Sequence, residues 1–408
     1  MSALGGAFEQ GDRDLKLGKL DLAQLPSAKA PAAAPPKAPV PVPAAVPAAL
    51  PPAPAPAASP APAPAAVAAA EPPAPPAPPA ETPAPAAVGK LTTFLDLEEE
   101  DVVKAAPQEK AAPNYSGPPV AALRTALLDL TEPIAKRTRA AFYLRTLGTS
   151  EAMNVIVEAL GQRQDTALMR HELAYILGQM GNSAVCSTLA EILDTEGEDV
   201  LVRHECAEAL GAIGHASATA TLNKHKNHPE KDISETCQIA LDLVAYRNSP
   251  ACAAEKAALA SQVYRTVDPA PAYVEAKPIS QLQADLCSPA QSLFLRYRAM
   301  FTLRNLNSDA AALALCEGLK DPSALFRHEV AYVLGQMQKE VTVPALTEVL
   351  TNTEEHRMVR HEAAEALGSI GGEEVEMILG EFLDDPEAVV TESCEVALDT
   401  LDYWSTFE

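Results

Sequence analysis

The chain is poor in aromatic residues, paired cysteines, positive charge and long apolar runs, and each shortage narrows what it does. One Trp, nine Tyr and eight Phe occur in 408 residues, so the 48% hydrophobic fraction rests heavily on alanine. Seven cysteines (Cys186, Cys206, Cys237, Cys252, Cys287, Cys316 and Cys394) are scattered with no C-x-x-C pair. That usage excludes a disulfide framework and suits buried thiols in a reducing cytosol. No apolar run approaches the ~20 residues needed to span a bilayer, so no membrane-spanning helix is expected. The first residues, MSALGGAFEQGDRDLK, lack the charged-then-apolar layout of a signal peptide, and their acids argue against a transit peptide. A cytoplasmic protein is expected. Basic residues number 31 against 55 acidic, a formal net charge of −24. A body this acidic repels phosphate backbones, so nucleic acid is an unsuitable partner; a cationic substrate or basic protein surface suits it better. No G-x-G-x-x-G, P-loop, G-x-S-x-G or H-E-x-x-H occurs, which removes the motif-borne nucleotide, serine-hydrolase and zincin readings.

What is abundant is proline, and it is unevenly placed. Of 37 prolines, 23 lie between Pro26 and Pro85 in a stretch that is nearly all Pro and Ala. Proline removes backbone donors and alanine offers little surface to bury, so a disordered, extended Pro/Ala-rich tail is expected over residues 1–115. Leu91–Lys104 (LTTFLDLEEEDVVK) reads as part of that tail with one weakly helical turn. Residues 1–115 hold 8 basic and 12 acidic groups, leaving 23 and 43 in the remainder, net −20.

From Ala121 onward the pattern changes to repeated helices. RHELAYILGQM (Arg170–Met180) returns as RHEVAYVLGQM (Arg327–Met337), and RHECAEALGAIG (Arg203–Gly214) as RHEAAEALGSIG (Arg360–Gly371). The offset is 157 residues for both, so the core is an internal duplication. Weaker copies flank each pair: AAFYLRTLG (Ala140–Gly148) and AMFTLRNLN (Ala299–Asn307) before, SETCQIALDLV (Ser234–Val244) and TESCEVALDTL (Thr391–Leu401) after. A unit of about 30 residues, read as paired helices, indicates an all-α fold: a HEAT-repeat α-solenoid of eight helical hairpins in two duplicated halves of four. Helix starts are expected at Asp321-Pro322 and Asp385-Pro386. Gly178, Gly211, Gly335 and Gly368 are expected to close the motif helices or to allow close approach of the next layer. The expected division is 1–115 extension, 116–248 first half, 249–290 linker and 291–408 second half.

Four of eight histidines stand in Arg-His-Glu triplets, giving His171-Glu172, His204-Glu205, His328-Glu329 and His361-Glu362. Only the two middle repeats of each half carry the pair; the outer repeats place Ala141 and Phe142, Met300 and Phe301, Glu235 and Thr236, Glu392 and Ser393 there. A scaffold requirement should apply to every repeat, so restriction to four points to a site. Histidines of adjacent repeats project from neighbouring helices roughly 8–10 Å apart and can converge on one ion. Each glutamate is rotated about 100° from its histidine and is expected to reach a second ion held by the other half. The halves must then lie face to face. Imidazoles with carboxylates suit a pair of Fe, Mn or Zn ions rather than a thiolate site. Arg170, Arg203, Arg327 and Arg360 orient the carboxylates or pair at the surface. Tyr175, Glu208, Tyr332 and Glu365 lie one turn beyond the histidines on the same face, and the two glutamates bind a cation, hold a ligand or stand as solvated charge. His225 and His228 read as a turn, His356 as a loop residue.

These motifs closely resemble those of the deoxyhypusine hydroxylase family, HEAT-repeat monooxygenases with four His-Glu pairs in two symmetric halves. The resemblance covers about residues 116–408 and says nothing of the tail. It implies two Fe ions per chain in a non-haem di-iron centre with O₂ as co-substrate. The implied reaction hydroxylates the aminobutyl side chain of deoxyhypusine on translation initiation factor 5A. Carried over by motif position, one iron takes His171, His204 and Glu329, the other His328, His361 and Glu172. Glu205 and Glu362 remain to engage the substrate amines or support the irons, and so stand as both catalytic and metal-site candidates. One motif departs, with Gln338 where the other three copies have glycine, which is expected to change that helix end. A monomer is expected. Two other readings stay open on the residues alone: a non-catalytic HEAT scaffold for basic proteins, and a di-metal hydrolase.

Overall fold

A computed structural model of the chain describes residues 115, 117–260 and 262–405, with side chains through Tyr403. The Pro/Ala-rich extension and the Leu91–Lys104 patch lie outside the described residues. Among those described there are seventeen α-helices and three short 3₁₀ turns, with no strand. Sixteen of the helices pair into eight hairpins. The first half is built from α1 (Val120–Leu128) with α2 (Ile134–Leu147), α3 (Ser150–Leu160) with α4 (Ala167–Met180), α5 (Cys186–Asp194) with α6 (Val200–Ile213), and α7 (Ala218–His225) with α8 (Lys231–Arg247). Helix α9 (Pro250–Leu259) leads into the crossing segment. The second half follows as α10 (Ile279–Leu286) with α11 (Leu293–Leu306), α12 (Asp309–Cys316) with α13 (Ala324–Met337), α14 (Val343–Thr351) with α15 (Arg357–Ile370), and α16 (Glu373–Glu381) with α17 (Ala388–Ser405). The 249–290 stretch expected as linker therefore holds two helices, and α10 is the outer member of the fifth hairpin.

An arginine sets the repeat in six of the eight hairpins. Arg137, Arg170, Arg203, Arg296 and Arg360 each donate Nε to the carbonyl ten residues back, Leu127, Leu160, Leu193, Leu286 and Leu350, at 2.8–3.1 Å. Those carbonyls end the outer helices and have no partner within the helix. Four of these guanidiniums pair forward with the acid that precedes the next inner helix: Arg137 with Asp165, Arg170 with Glu198, Arg296 with Asp321, and Arg360 with Asp385, while Arg203 reaches His228 Nε2 at 3.5 Å. These arginines thus act as buried staples between hairpins, neither orienting the site carboxylates nor pairing at the surface. Arg327 departs slightly, binding Glu355 through Nε at 3.0 Å and the Asp321 carbonyl through a terminal nitrogen at 2.5 Å. The staple also moves two helix starts. Asp321 and Asp385 lie before their helices, since α13 is capped by Ser323, whose hydroxyl accepts from Phe326 N, and α17 begins at Ala388.

Eleven residues after each arginine the inner helix ends in a positive-φ residue: Gly148, Gly181, Gly214, Asn307, Gln338 and Gly371. Gln338 adopts φ 50°, ψ 48°, so the helix end expected to change keeps the same left-handed cap. Its side chain donates to the Ser369 carbonyl at 2.7 Å, which supports that conformation. Gly178, Gly211 and Gly368 do not close helices. A Cβ on each would lie 2.8, 2.9 and 2.9 Å from the Cα of Ala209, Ala240 and Ala397 on the next inner helix. Glycine lets these backbones touch.

The two halves close on each other at both ends. Helix α17 packs against α2 and α4, and α8 against α11 and α13. Arg139 pairs with Asp399 at 3.1 Å, and the Tyr143 and Tyr403 hydroxyls meet at 3.2 Å. Across the middle, Ser323 donates to Glu235 and Arg357 pairs with Asp199, both at 2.5 Å. The crossing segment lies over the C-terminal ends of α4, α11 and α13. There Val267 exchanges two backbone hydrogen bonds with the Gln179 amide, and Arg304 holds Asp268 through two bonds of 2.9 and 2.6 Å. The inner helices thus face inward from both halves.

A candidate metal centre

All eight residues singled out in the sequence come together in one buried cluster. His171, His204, His328 and His361 are 0% exposed, and Glu172, Glu205, Glu329 and Glu362 at most 1%. Within each half the imidazole centroids lie 5.3 Å apart, for His171–His204 and for His328–His361. Across the halves, His171–His361 is 5.3 Å, His204–His328 5.5 Å and His171–His328 6.1 Å. Ligating atoms of His171, His204 and Glu205 fall within 4.8 Å of one another, as do those of His171, His328 and His361, and of His361, Glu362 and Glu365.

The carboxylates are set in duplicated fashion. Glu205 lies 3.3 Å from His171 Nε2, and Glu362 3.2 Å from His328 Nε2. Glu172 lies 3.3 Å from its own neighbour His171 Nδ1. The 100° rotation of adjacent Cβ atoms did not forbid this contact, because three rotatable bonds let the carboxylate bend back. Glu208 and Glu365, one turn further on, are 6% and 0% exposed, which removes the solvated reading for both. The Tyr175 and Tyr332 hydroxyls stand 3.4 Å apart across the halves.

The donor set fits metal ions. Among the described residues, both ring nitrogens of His204, Nδ1 of His328, Nε2 of His361, Oε2 of Glu172 and both oxygens of Glu329 are buried with no hydrogen-bond partner. Buried polar atoms left unmet this way are costly, and a cation supplies what they lack. Titration runs the same way. Burial, with the charge of His171, holds His204 well below the usual imidazole range, and burial does the same to His328; His361 is pulled down to about 4. These imidazoles stay neutral, the form that ligates. Burial opposes the charge on His171 too, but its bonds to Glu172 and Glu205 outweigh it and raise it to about 9. Burial lifts Glu172 to about 7, with Glu365 as the like charge acting on it; it lifts Glu329 well above its range, with Glu208. Each of these two glutamates therefore feels a carboxylate of the opposite half.

A pocket of about 180 Å³ opens at the N-terminal turns of α6 and α15, lined by Val200, Leu201, Glu230, His356, Arg357 and Met358. His356, expected in a loop, is the N-cap of α15. His225, at the end of α7, bonds Asp194 at 2.6 Å rather than standing free in a turn. The staple register also corrects the outer repeats. The residues following Arg137 and Arg296 are Thr138-Arg139 and Tyr297-Arg298, three positions before the pairs assigned from the weaker copies. Tyr297 is 1% exposed and passed unnoticed in the sequence, although counting forward from each arginine would have found it.

Fold and cluster together define a HEAT-repeat protein with a buried His/Glu centre able to hold metal ions. A HEAT-repeat family model matches residues 169–242, 294–357 and 312–399. Deoxyhypusine hydroxylase of Rattus norvegicus is 45% identical over 70% of this chain and 92% of that protein; that of Neurospora crassa is 45% identical over 70% and 93%. The solved structure of human deoxyhypusine hydroxylase in complex with glycerol superposes with a TM-score of 0.65 at 43% identity, covering 70% of this chain and 96% of that one. The chain belongs to the deoxyhypusine hydroxylase family. Among the described residues no helix is long and apolar enough to cross a membrane.

Proposed function

We propose that this chain is a di-iron monooxygenase that hydroxylates the deoxyhypusine side chain of translation initiation factor 5A with O₂, completing hypusine formation. The observation that carries this reading is the closed cluster of four buried imidazoles and their carboxylates, with ligand atoms left unmet, in a chain of this family. One iron takes His171, His204 and Glu329, the other His328, His361 and Glu172. Glu365 acting on Glu172 and Glu208 on Glu329 support the crossing of these two glutamates. The ligating atoms of Glu205, however, fall within 4.8 Å of those of His171 and His204, which makes Glu205, and by duplication Glu362, the competing carboxylate ligands. Bound iron supplies what side chains cannot, activation of O₂ for insertion of one oxygen atom into an aliphatic C–H bond.

The chain's own residues bind and orient. Glu205 and Glu362 accept N–H bonds from the protonated amines of the aminobutyl chain, and their charge offsets the desolvation of those amines. Burial of the cluster excludes water from the reacting carbon. The net charge of −24 steers a basic partner surface toward the site. In this reading the enzyme is a cytoplasmic monomer, and residues 1–115 are an extension outside the catalytic unit. The test is the metal content of freshly purified protein together with intact-mass analysis of the deoxyhypusine-bearing factor. About two irons per chain and a gain of one oxygen atom are expected. Zinc in place of iron, or no mass gain with iron present, would overturn the assignment.

A further inference from the structure

The duplication is imperfect at one position that faces the centre. In the four middle hairpins the residue after the repeat arginine is a site histidine; in the first hairpin of each half it is Thr138 or Tyr297. Tyr297 on α11 thus stands where His328 stands one hairpin later. Its ring is fixed against Phe326 and Phe301, with centroids 5.5 and 6.3 Å away. Its hydroxyl is buried and, among the described residues, has no hydrogen-bond partner. The carboxylates that act on this phenol are Glu329, Glu208 and Glu235, in that order. Glu208 Oε1 is likewise buried without a partner. One flank of the centre therefore presents a phenol oxygen and a carboxylate oxygen with nothing bonded to them.

The other flank is filled differently. Glu365, the counterpart of Glu208, accepts from Ser393 Oγ at 3.3 Å and lies 3.7 Å from His361 Nδ1. Thr138, the counterpart of Tyr297, is a shorter side chain whose hydroxyl is also buried without a partner among the described residues. The two flanks are chemically unequal although the metal-ligating residues are duplicated.

Building on the hydroxylase reading above, we propose that Glu208 and Tyr297 form the subsite for the terminal ammonium of the substrate's aminobutyl chain, so that the chain enters the duplicated centre in one orientation only. An ammonium brings three N–H donors and no acceptor. Glu208 Oε1 and the Tyr297 oxygen accept two of them. A buried ammonium needs a compensating negative charge, and Glu208 provides it.

The test reads binding rather than turnover. The iron-loaded full chain is titrated by calorimetry, without oxygen, with translation initiation factor 5A carrying deoxyhypusine and separately with the same factor carrying unmodified lysine. Glu208→Gln and Tyr297→Phe should each weaken binding of the deoxyhypusine form at least tenfold and leave that of the lysine form unchanged. Thr138→Val should leave both unchanged. The proposal is overturned if both first variants, with iron retained, bind the deoxyhypusine form within twofold of wild type. An equal loss in Thr138→Val overturns the single orientation. Should Glu208→Gln lose iron, Tyr297→Phe, which keeps the ring contacts, decides alone. A wild-type chain that fails to distinguish the two forms overturns the hydroxylase reading itself along with the subsite.

Discussion

An alanine in place of Gly368 should destabilise this protein even though alanine is the better helix former. In an exposed helix the exchange would stabilise by about 1 kcal/mol. Here the new Cβ would lie 2.5 Å from Ala397 Cβ and 2.9 Å from Ala397 Cα on α17. Ordinary contact begins at 3.4 Å, so the two helices must part by about 0.9 Å at that point. Neither opposing atom can turn aside by a rotamer change. Overpacking of this kind costs about 1–3 kcal/mol, so after the propensity gain a net loss of up to about 2 remains. At about 2–4 °C per kcal/mol in a domain of this size, calorimetry should record a Tm lower by up to about 8 °C. Gly211→Ala should behave alike, with its Cβ 2.6 Å from Ala240 Cβ. Gly181→Ala serves as the comparison, since nothing lies within 4 Å and only its φ of +68° resists, for about 1–2 kcal/mol. Metal retention separates the two causes. Helix α15 carries His361 two turns before Gly368, so parting α15 from α17 disturbs the ligand cluster, and iron should dissociate more readily from Gly368→Ala than from Gly181→Ala. A Gly368→Ala protein that melts at or above the wild-type temperature would refute the close-approach argument.

Three further outcomes follow from the geometry. His328→Ala should lose iron and hydroxylation while its helical circular dichroism persists; unfolding would instead mark the imidazole as structural. Arg360→Lys forfeits the paired bonds to Asp385, at 3.1 and 2.6 Å, and should cost about 1–3 kcal/mol in denaturant unfolding with iron content unchanged; iron loss at full stability would return the arginine to the site. Burial pushes Glu392 up to about 7 against the pull of its Thr166 hydrogen bond. The folded state then favours the protonated carboxyl, so this group's stabilising contribution, present below about 4.5, is lost as pH rises through about 7. Glu392→Gln, a mimic of the protonated form, should therefore be more stable than wild type at pH 8 and equal to it near pH 4.5. The same advantage at both pH values would contradict the assignment.

The helical hairpins, their number and their duplication were readable from the chain because helical periodicity and repeat length are local properties. The eight His and Glu candidates were readable for a related reason, since a pair present in four repeats and missing from four cannot be a scaffold requirement. The arginine beside each pair misled, because adjacency in sequence suggested a shared task. Its partners, a carbonyl ten residues back and an acid 25 to 28 residues ahead, belong to the hairpin stack. Glu208 and Glu365 were undecided between solvated charge and ligand, because burial of a polar residue depends on what the rest of the chain lays over it.

The sequence by itself determined an all-helical repeat, its internal doubling and the residue types able to hold metal. Only the tertiary structure decided that the halves close on each other at both ends, bringing His171 within 5.3 Å of His361 across 190 residues of chain. It also placed Glu205 against His171 and buried Tyr297. The reason is physical. A helix and its repeat are specified by neighbours a few residues away, whereas contacts across the centre depend on the summed curvature of eight hairpins and the path of the crossing segment. No window of sequence contains those quantities.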